Sequence, residues 1–237
     1  MQTMKSVPRN LIRTLLLAAA SCALFSAPVF AQSPPSFAGS WLLNGDQSTI
    51  KAIDGKLPPM KPDARKRYDA AVTARKKGKP TGDTIAKCLP HGLPRLLFAP
   101  YPFEVLQEKK QLTFLHEAHH MPRLVYLGEA LPALDTLDNN YMGFSAGNWE
   151  GDTLVIDSAG FNDITTIDTA GVPHSESLTL KERMRLIDGG QTLEDVITVT
   201  DPETFTKPWQ TRVTFKRLPA DYWLKEFVCT DRNPDAS

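Results

Sequence analysis

The chain has almost no cysteine: three in 237 residues, at positions 22, 88 and 229. It has no C-x-x-C pair and no Cys-x-His spacing, so neither a zinc ribbon nor a thioredoxin-type redox centre is encoded. Net charge is missing too. The 27 lysines and arginines balance 27 aspartates and glutamates, and no global field draws the protein to nucleic acid or to an anionic membrane. There is no G-x-S-x-G elbow, no phosphate-binding glycine loop and no dinucleotide fingerprint in a strand-turn-helix context. These absences argue against the common serine hydrolases, nucleotide-triphosphate enzymes and nicotinamide or flavin enzymes. No internal repeat breaks the chain into modules. What remains open is cofactor-free chemistry or simple binding.

The first thirty-one residues read as a secretory leader. Lys5, Arg9 and Arg13 form a basic start, Leu15 to Phe25 is an apolar stretch too short to span as a mature anchor, and Val29-Phe30-Ala31 is a cleavage signal. Cys22 offers lipid attachment as an alternative, but the apolar sequence continues past it to Phe30, which suits an ordinary signal. The expectation is cleavage after Ala31 and export to a bacterial periplasm or beyond, with no membrane contact afterwards. Residues 32–237 then form a single β-barrel-like domain with a helical insertion at about 61–78. Export leaves Cys88 and Cys229 as a pair in an oxidising compartment. A disulfide between them would stabilise by about 2 to 5 kcal/mol.

The helical insertion is K-P-D-A-R-K-R-Y-D-A-A-V-T-A-R-K-K-G-K. Pro62 suits the first turn, Asp63 complements the helix dipole, and Gly78 follows a basic last turn. Tyr68, Ala71 and Val72 make a thin apolar stripe. The basic face reads as solvated, with contact to an acidic partner as the alternative. Elsewhere the pattern is strand after strand: 37–43, 103–107, 112–117, 123–127, 144–150, 153–157, 176–187, 192–200, 210–217 and 222–228. Turns at Glu150-Gly151-Asp152 and Asp188-Gly189-Gly190, and mostly short connections, favour antiparallel neighbours. The fold class is therefore all-β with one short helix: an antiparallel up-and-down, lipocalin-like barrel or a strongly bent sheet, with a sandwich as runner-up.

Alternation assigns faces. In 176–187, Leu178, Leu180, Met184 and Leu186 share a face with Glu182 and Glu176, opposite Thr179, Lys181, Arg183 and Arg185. A carboxylate among leucines implies a buried ion pair or a functional acid; a bulge would instead turn Glu182 outward. Trp209, Thr211, Val213 and Phe215 share an inward face, as cavity lining or as core.

The densest chemistry lies in the loop after the strand at 153–157, where Asp163, Asp168, His174 and Glu176 accompany Asn162, Gly160 and Gly171. Long ordered loops of this kind are often functional. His174 titrates near neutrality, and Asp163, Glu176 or Glu182 would orient it or carry a second proton. The same groups could equally pin the loop by hydrogen bonds. His116-Glu117-Ala118-His119-His120 matches the zinc-protease letters, but its flanks alternate like strands and Pro122 forbids the required helix. On a strand His116 and His120 stand about 13 Å apart, so no metal site is assigned. A looser site using His119 or His120 with a distant ligand is the alternative.

Larger patterns also carry a resemblance. F-A-G-S-W-L-L-N, C-L-P-H-G-L-P-R at Cys88 to Arg95, P-Y-P-F-E, G-N-W-E-G-D-T-L-V-I-D with G-F-N-D, P-H-S-E-S-L, D-P-E-T-F-T-K-P-W and E-F-V-C together resemble a largely uncharacterised family of secreted bacterial proteins. That resemblance implies homology and export without implying a reaction. Gly39-Ser40-Trp41 on a first strand is also similar to the G-x-W motif of lipocalin-like barrels, in which a late arginine covers the tryptophan; Arg212 and Arg217 are the candidates.

Two functions follow. One is a periplasmic, cofactor-free acid-base enzyme of isomerase, lyase or dehydratase type acting on a small hydrophobic or aromatic molecule. Its catalytic groups are His174, Asp163, Glu176 and Glu182, and Trp209, Phe215, Tyr141 and Asn162 line the ligand. The other is a non-catalytic carrier or sensor of the same class of ligand.

Overall fold

A computed structural model describes residues 33–45, 49–79, 81 and 83–232; the expected leader lies outside them. Nine strands close into a barrel in sequence order: β1 (Gly39–Leu43), β2 (Phe103–Gln107), β3 (Gln111–His116), β4 (Pro122–Leu127), β5 (Phe144–Glu150), β6 (Thr153–Ala159), β7 (Thr179–Ile187), β8 (Thr192–Thr200) and β9 (Trp209–Arg217). A 15-residue helix, α1 (Pro62–Lys76), follows β1, and a short one, α2 (Cys229–Arg232), ends the described chain.

The barrel expectation is borne out, with one correction to its antiparallel pairing. β4 and β5 run parallel, Val125 opposite Ser145, because the connection over residues 128–143 carries the chain back to the end where β4 began. Parallel neighbours need such a return. A second correction concerns residues 222–228, which are not a strand. β1 pairs with β9, so the closed barrel offers that segment no edge. The β7 strand also starts three residues later than its alternation implied. Ser175 accepts from the Ser177 amide with its hydroxyl and from the Leu178 amide with its carbonyl, and this turn carries Glu176 out of the strand register into solvent.

Barrel closure rests on a short seam of three residue pairs, Trp41–Arg217, Leu42–Lys216 and Leu43–Phe215. Arg217 reinforces it. Its guanidinium lies 4.1 Å from the centre of the Trp41 ring and donates to the carbonyls of Gly190 and Ala38, both at 2.9 Å. Arg217, not Arg212, is thus the arginine over the tryptophan. Gly39 starts β1 at φ +120°, and a Cβ there would stand 3.0 Å from Arg217 Nη1. The G-x-W spacing therefore has a local steric reason.

The hairpin turns, at 108–110, 151–152 and 188–191, all fall at one end. The long connections, 44–102, 117–121, 160–178 and 201–208, all fall at the other. They form a roof whose buried side chains, among them Ile50, Leu97, Phe98, Ile167 and Val172, join the barrel interior in one apolar core. The roof is knitted by main chain, as in Lys61 N–H to Thr204 O at 2.9 Å. After β9 the tail runs back to the roof. Lys225 N–H donates to Glu117 Oε2 at 3.0 Å, and Phe227 N–H donates to His120 Nε2 at 2.9 Å. Cys229 is bonded to Cys88, which is the expected disulfide, although it fastens a tail rather than a strand.

Candidate functional site

The barrel interior has two walls. β1, β2, β3 and β9 supply rings: Trp41, Phe103, Phe114, Trp209 and Phe215, all buried. Phe103 packs edge-on to Phe215 at 4.9 Å and lies 5.9 Å from Phe114. The other wall is polar. Five consecutive strands each turn one polar side chain inward: Arg123 from β4, Ser145 from β5, Ser158 from β6, Glu182 from β7 and Asp195 from β8, every one buried.

Arg123 is the hub. It donates to both oxygens of Glu182, to Ser145 and to Ser158, and it stands 5.6 Å from the centre of the Phe114 ring. The pair is fully enclosed, Arg123 at 1% and Glu182 at 0% side-chain exposure. Glu182 thus points inward as alternation implied, as the buried-ion-pair form of that expectation. Asp195 lies against the same carboxylate. Burial first, and then the charge of Glu182, push its acid well above the ordinary carboxylate range. Two carboxylate oxygens cannot bond each other without a proton, and neither Asp195 oxygen has a partner of good hydrogen-bond geometry among the described residues. Carrying its own proton, it is the donor, and Glu182 accepts.

Three more imidazoles lie toward the roof. His116 ends β3 and sits 5.1 Å from the Phe103 ring; His91 packs on His119 at 4.9 Å; His119 lies 4.8 Å from Phe227 of the tail. Burial, with the nearby Arg95 and Arg123 guanidinium groups, lowers His91 and His116 to about 3, so both are neutral. His91 Nδ1, His116 Nε2, His119 Nε2 and Trp209 Nε1 are buried without a hydrogen-bond partner among the described residues. Such groups are unusual in a folded interior and mark a place built to meet something polar.

The H-E-x-x-H letters are not on one continuous strand, which corrects that reading. β3 stops at His116, and Ala118–His120 is a tight turn in which His119 and His120 have φ of 58° and 48°. Glu117 and His120 are both engaged with the tail. Among the described residues no group of three or more His, Cys, Asp or Glu side chains is placed to hold a metal ion.

The loop after β6 forms a separate locus. Asp168 is one of its pins: Oδ1 accepts from the Gly171 and Val172 amides at 2.9 and 3.0 Å, and Oδ2 from Ile50 at 2.9 Å. Asp201 is another, taking the Ser175 amide and hydroxyl, each at 2.7 Å. His174 is buried between them. Its Nδ1 faces the Ser175 carbonyl at 3.2 Å, which only accepts, so Nδ1 bears the hydrogen and Nε2 accepts from the Thr165 hydroxyl at 3.2 Å. Burial lowers the His174 pKa, against the Ser175 bond and the fields of Asp201 and Asp163.

The expected catalytic set is therefore not assembled. Asp163 is exposed near His174, Glu176 is exposed, and Glu182 belongs to the interior network with Arg123. Of the expected ligand-lining residues, Trp209 and Phe215 face the interior, whereas Tyr141 and Asn162 are half-buried in the roof. Asn162 Oδ1 accepts from the Ile164 amide at 3.3 Å, a turn role. Asp195 was legible: Leu193, Asp195, Ile197 and Val199 alternate just as the β7 residues do. Arg123 was not, since Leu124 and Tyr126 on its opposite face are as apolar as Val125.

No protein-family model matches the chain and no curated protein is similar to it. Among the solved structures that resemble it loosely are two with lipid-related names. A mutant of the REP1-NXSQ fatty acid transporter is 13% identical, with a TM-score of 0.35, over 76% of this chain and 97% of that one. Apo lipid binding protein 8 from Caenorhabditis elegans is 9% identical, with a TM-score of 0.34, over 77% and 95%. With likenesses this distant, the barrel stands on its own strand register.

Proposed function

We propose that this protein is an exported, non-catalytic binding barrel, a carrier or sensor that holds one small, mostly apolar molecule beneath the roof. The observation that carries this reading is the two-walled interior. One side presents aromatic faces, and the other presents hydroxyls and the Arg123–Glu182–Asp195 centre, with nitrogens of His91, His116 and Trp209 that meet no partner among the described residues. Aromatic walls with a few placed polar groups are what a small-molecule site requires, and barrels of about eight strands can enclose one such ligand. The Cys88–Cys229 bond supports export, because disulfides persist in oxidising compartments.

The test is native mass spectrometry of protein recovered from a bacterial periplasm, together with titration of an anilinonaphthalene dye. The expected result is one co-purified small molecule per chain, or saturable dye binding that weakens in Trp209→Ala and His116→Leu. A ligand-free protein that takes up no dye would refute the reading.

A second reading rests on a different observation. Asp195 is a buried acid whose hold on its proton is raised by burial and by the neighbouring Glu182, and acids with raised proton affinity beside a second carboxyl are how folds arrange acid-base chemistry. An isomerase or lyase would use this pair rather than the His174 loop. Conversion of the co-purified molecule by wild type, abolished in Asp195→Asn with binding retained, would select it over the carrier.

A further inference from the structure

α1 and the loop after β6 enclose a cleft of about 220 Å³ whose lining includes Arg67, Arg75, Asp163, Thr165 and His174. Arg67, Ala71 and Arg75 recur every four residues and so share one helix face. Ala71 seats that face on the loop: a Cβ added to Gly171, which has φ +99°, would come 2.8 Å from Ala71 Cβ. The two arginines flank that contact, and both line the cleft.

Charge in the cleft does not balance internally. The neighbouring helix arginine, Arg65, is paired with Asp69 at 2.9 Å, but among the described residues neither Arg67 nor Arg75 has a salt-bridge partner. Asp83 also lines the cleft, yet it is committed to Arg95 through two bonds of 2.8 and 2.7 Å. Burial alone would raise Asp83, but the Arg95 guanidinium more than offsets it and holds the carboxyl below its usual value. Asp83 also feels the charge of Arg75, and Asp163 is the other carboxylate lining the cleft. His174 adds no charge, being buried and held neutral with its Nε2 satisfied by Thr165.

We infer that this cleft is a binding site for a small anion, a phosphate or carboxylate group held by Arg67 and Arg75 beside His174 and Thr165. Guanidinium groups are the side chains best suited to clamp either anion. The volume falls below the roughly 300 to 1,000 Å³ of sites for whole drug-sized ligands, which fits a compact anionic group and separates the cleft from the apolar barrel site. The inference is independent of the barrel reading.

Calorimetric titration of the oxidised mature protein with inorganic phosphate, and separately with succinate, at constant ionic strength tests it. Saturable binding of phosphate, of succinate or of both supports the site, and the pattern tells which anion it prefers. The affinity should fall at least about tenfold in Arg67→Gln/Arg75→Gln and be unchanged in Arg65→Gln. Dye binding in the barrel should be the same in all three proteins, so failure here leaves the barrel reading intact. No saturable binding of either anion, or equal binding by the double variant, would overturn the inference.

Discussion

The proton on Asp195 makes the interior network testable by a double-mutant cycle. Glu182 and Arg123 are enclosed almost completely, and removing one partner of such a pair costs about 3 to 5 kcal/mol when nothing replaces it. Here something can replace it. Asp195 is held protonated by burial and by Glu182; in Glu182→Gln the second cause vanishes, and Asp195 can ionise to become the counter-ion of Arg123. That substitution should therefore cost only about 1 to 2 kcal/mol, less than the bare loss of a buried partner. Asp195→Asn keeps a donor for Glu182 and should cost no more than about 1 kcal/mol. Combined, they leave Arg123 with no anion and should cost about 4 to 6 kcal/mol, a coupling of about 1 to 5 kcal/mol. Urea denaturation of the oxidised protein at pH 7, followed by tryptophan fluorescence, measures all four corners. The pH dependence provides a second check. The folded pKa of Asp195 lies above its unfolded value, so its stabilisation is full below about pH 3.9 and is lost as pH rises toward the folded value. Asp195→Asn should accordingly improve relative to wild type as pH rises from 4. Additivity within about 0.5 kcal/mol would refute the claim that Asp195 carries a proton and can take over the pairing.

The buried imidazoles act in the opposite direction: with folded values of about 3, His91 and His116 contribute stability that is full above about pH 6.5 and lost as pH falls toward 3, by up to about 1.4 kcal/mol per unit each. His116→Gln should flatten that slope in pH-dependent denaturation, and an unchanged slope would place the histidine elsewhere. Denatured, unreduced protein lacking the leader should show no free thiol, and Cys88→Ala/Cys229→Ala should lose about 2 to 5 kcal/mol and expose Phe227 to limited proteolysis; two reactive thiols in wild type would contradict the bond. His174→Ala should lower the thermal midpoint by several degrees, since it removes a buried, doubly bonded ring, and leave dye binding in the barrel intact. Loss of dye binding at an unchanged midpoint would return the loop to the barrel site.

Much of the barrel was legible because its strands obey period-2 alternation. β7 and β9 were assigned the correct inner faces, Glu182 included. Glu176 was misplaced because alternation was carried through a serine turn that resets the register. The tail at 222–228 looks like a strand in composition, but a closed barrel leaves no edge for it, a fact about strands far away in sequence. The roof escaped for the same reason. His91, His119 and Phe227 meet only because the tail travels the length of the barrel. The polar belt was half visible: Asp195 follows the same rule that exposed Glu182, whereas Arg123 sits on a strand apolar on both faces.

The β1–β9 seam has a consequence for how the chain could be rearranged. Every other strand neighbour is also the next strand in sequence, so joining the first strand to the last falls on three residue pairs and one arginine. Gly39 and Arg217 leave the barrel at the same end, with Leu218 N–H bonded to Ser40 O at 2.8 Å. A circular permutant that bridges Ala38 to Leu218 and begins at the Gly189–Gly190 turn would make the seam a local hairpin and the β7–β8 pair the new closure. That pair has nine registered positions where the seam has three. The permuted chain would thus place its long-range joint in the barrel's longest ladder. The tail, cut from its strand, would need a new attachment to reach Cys88.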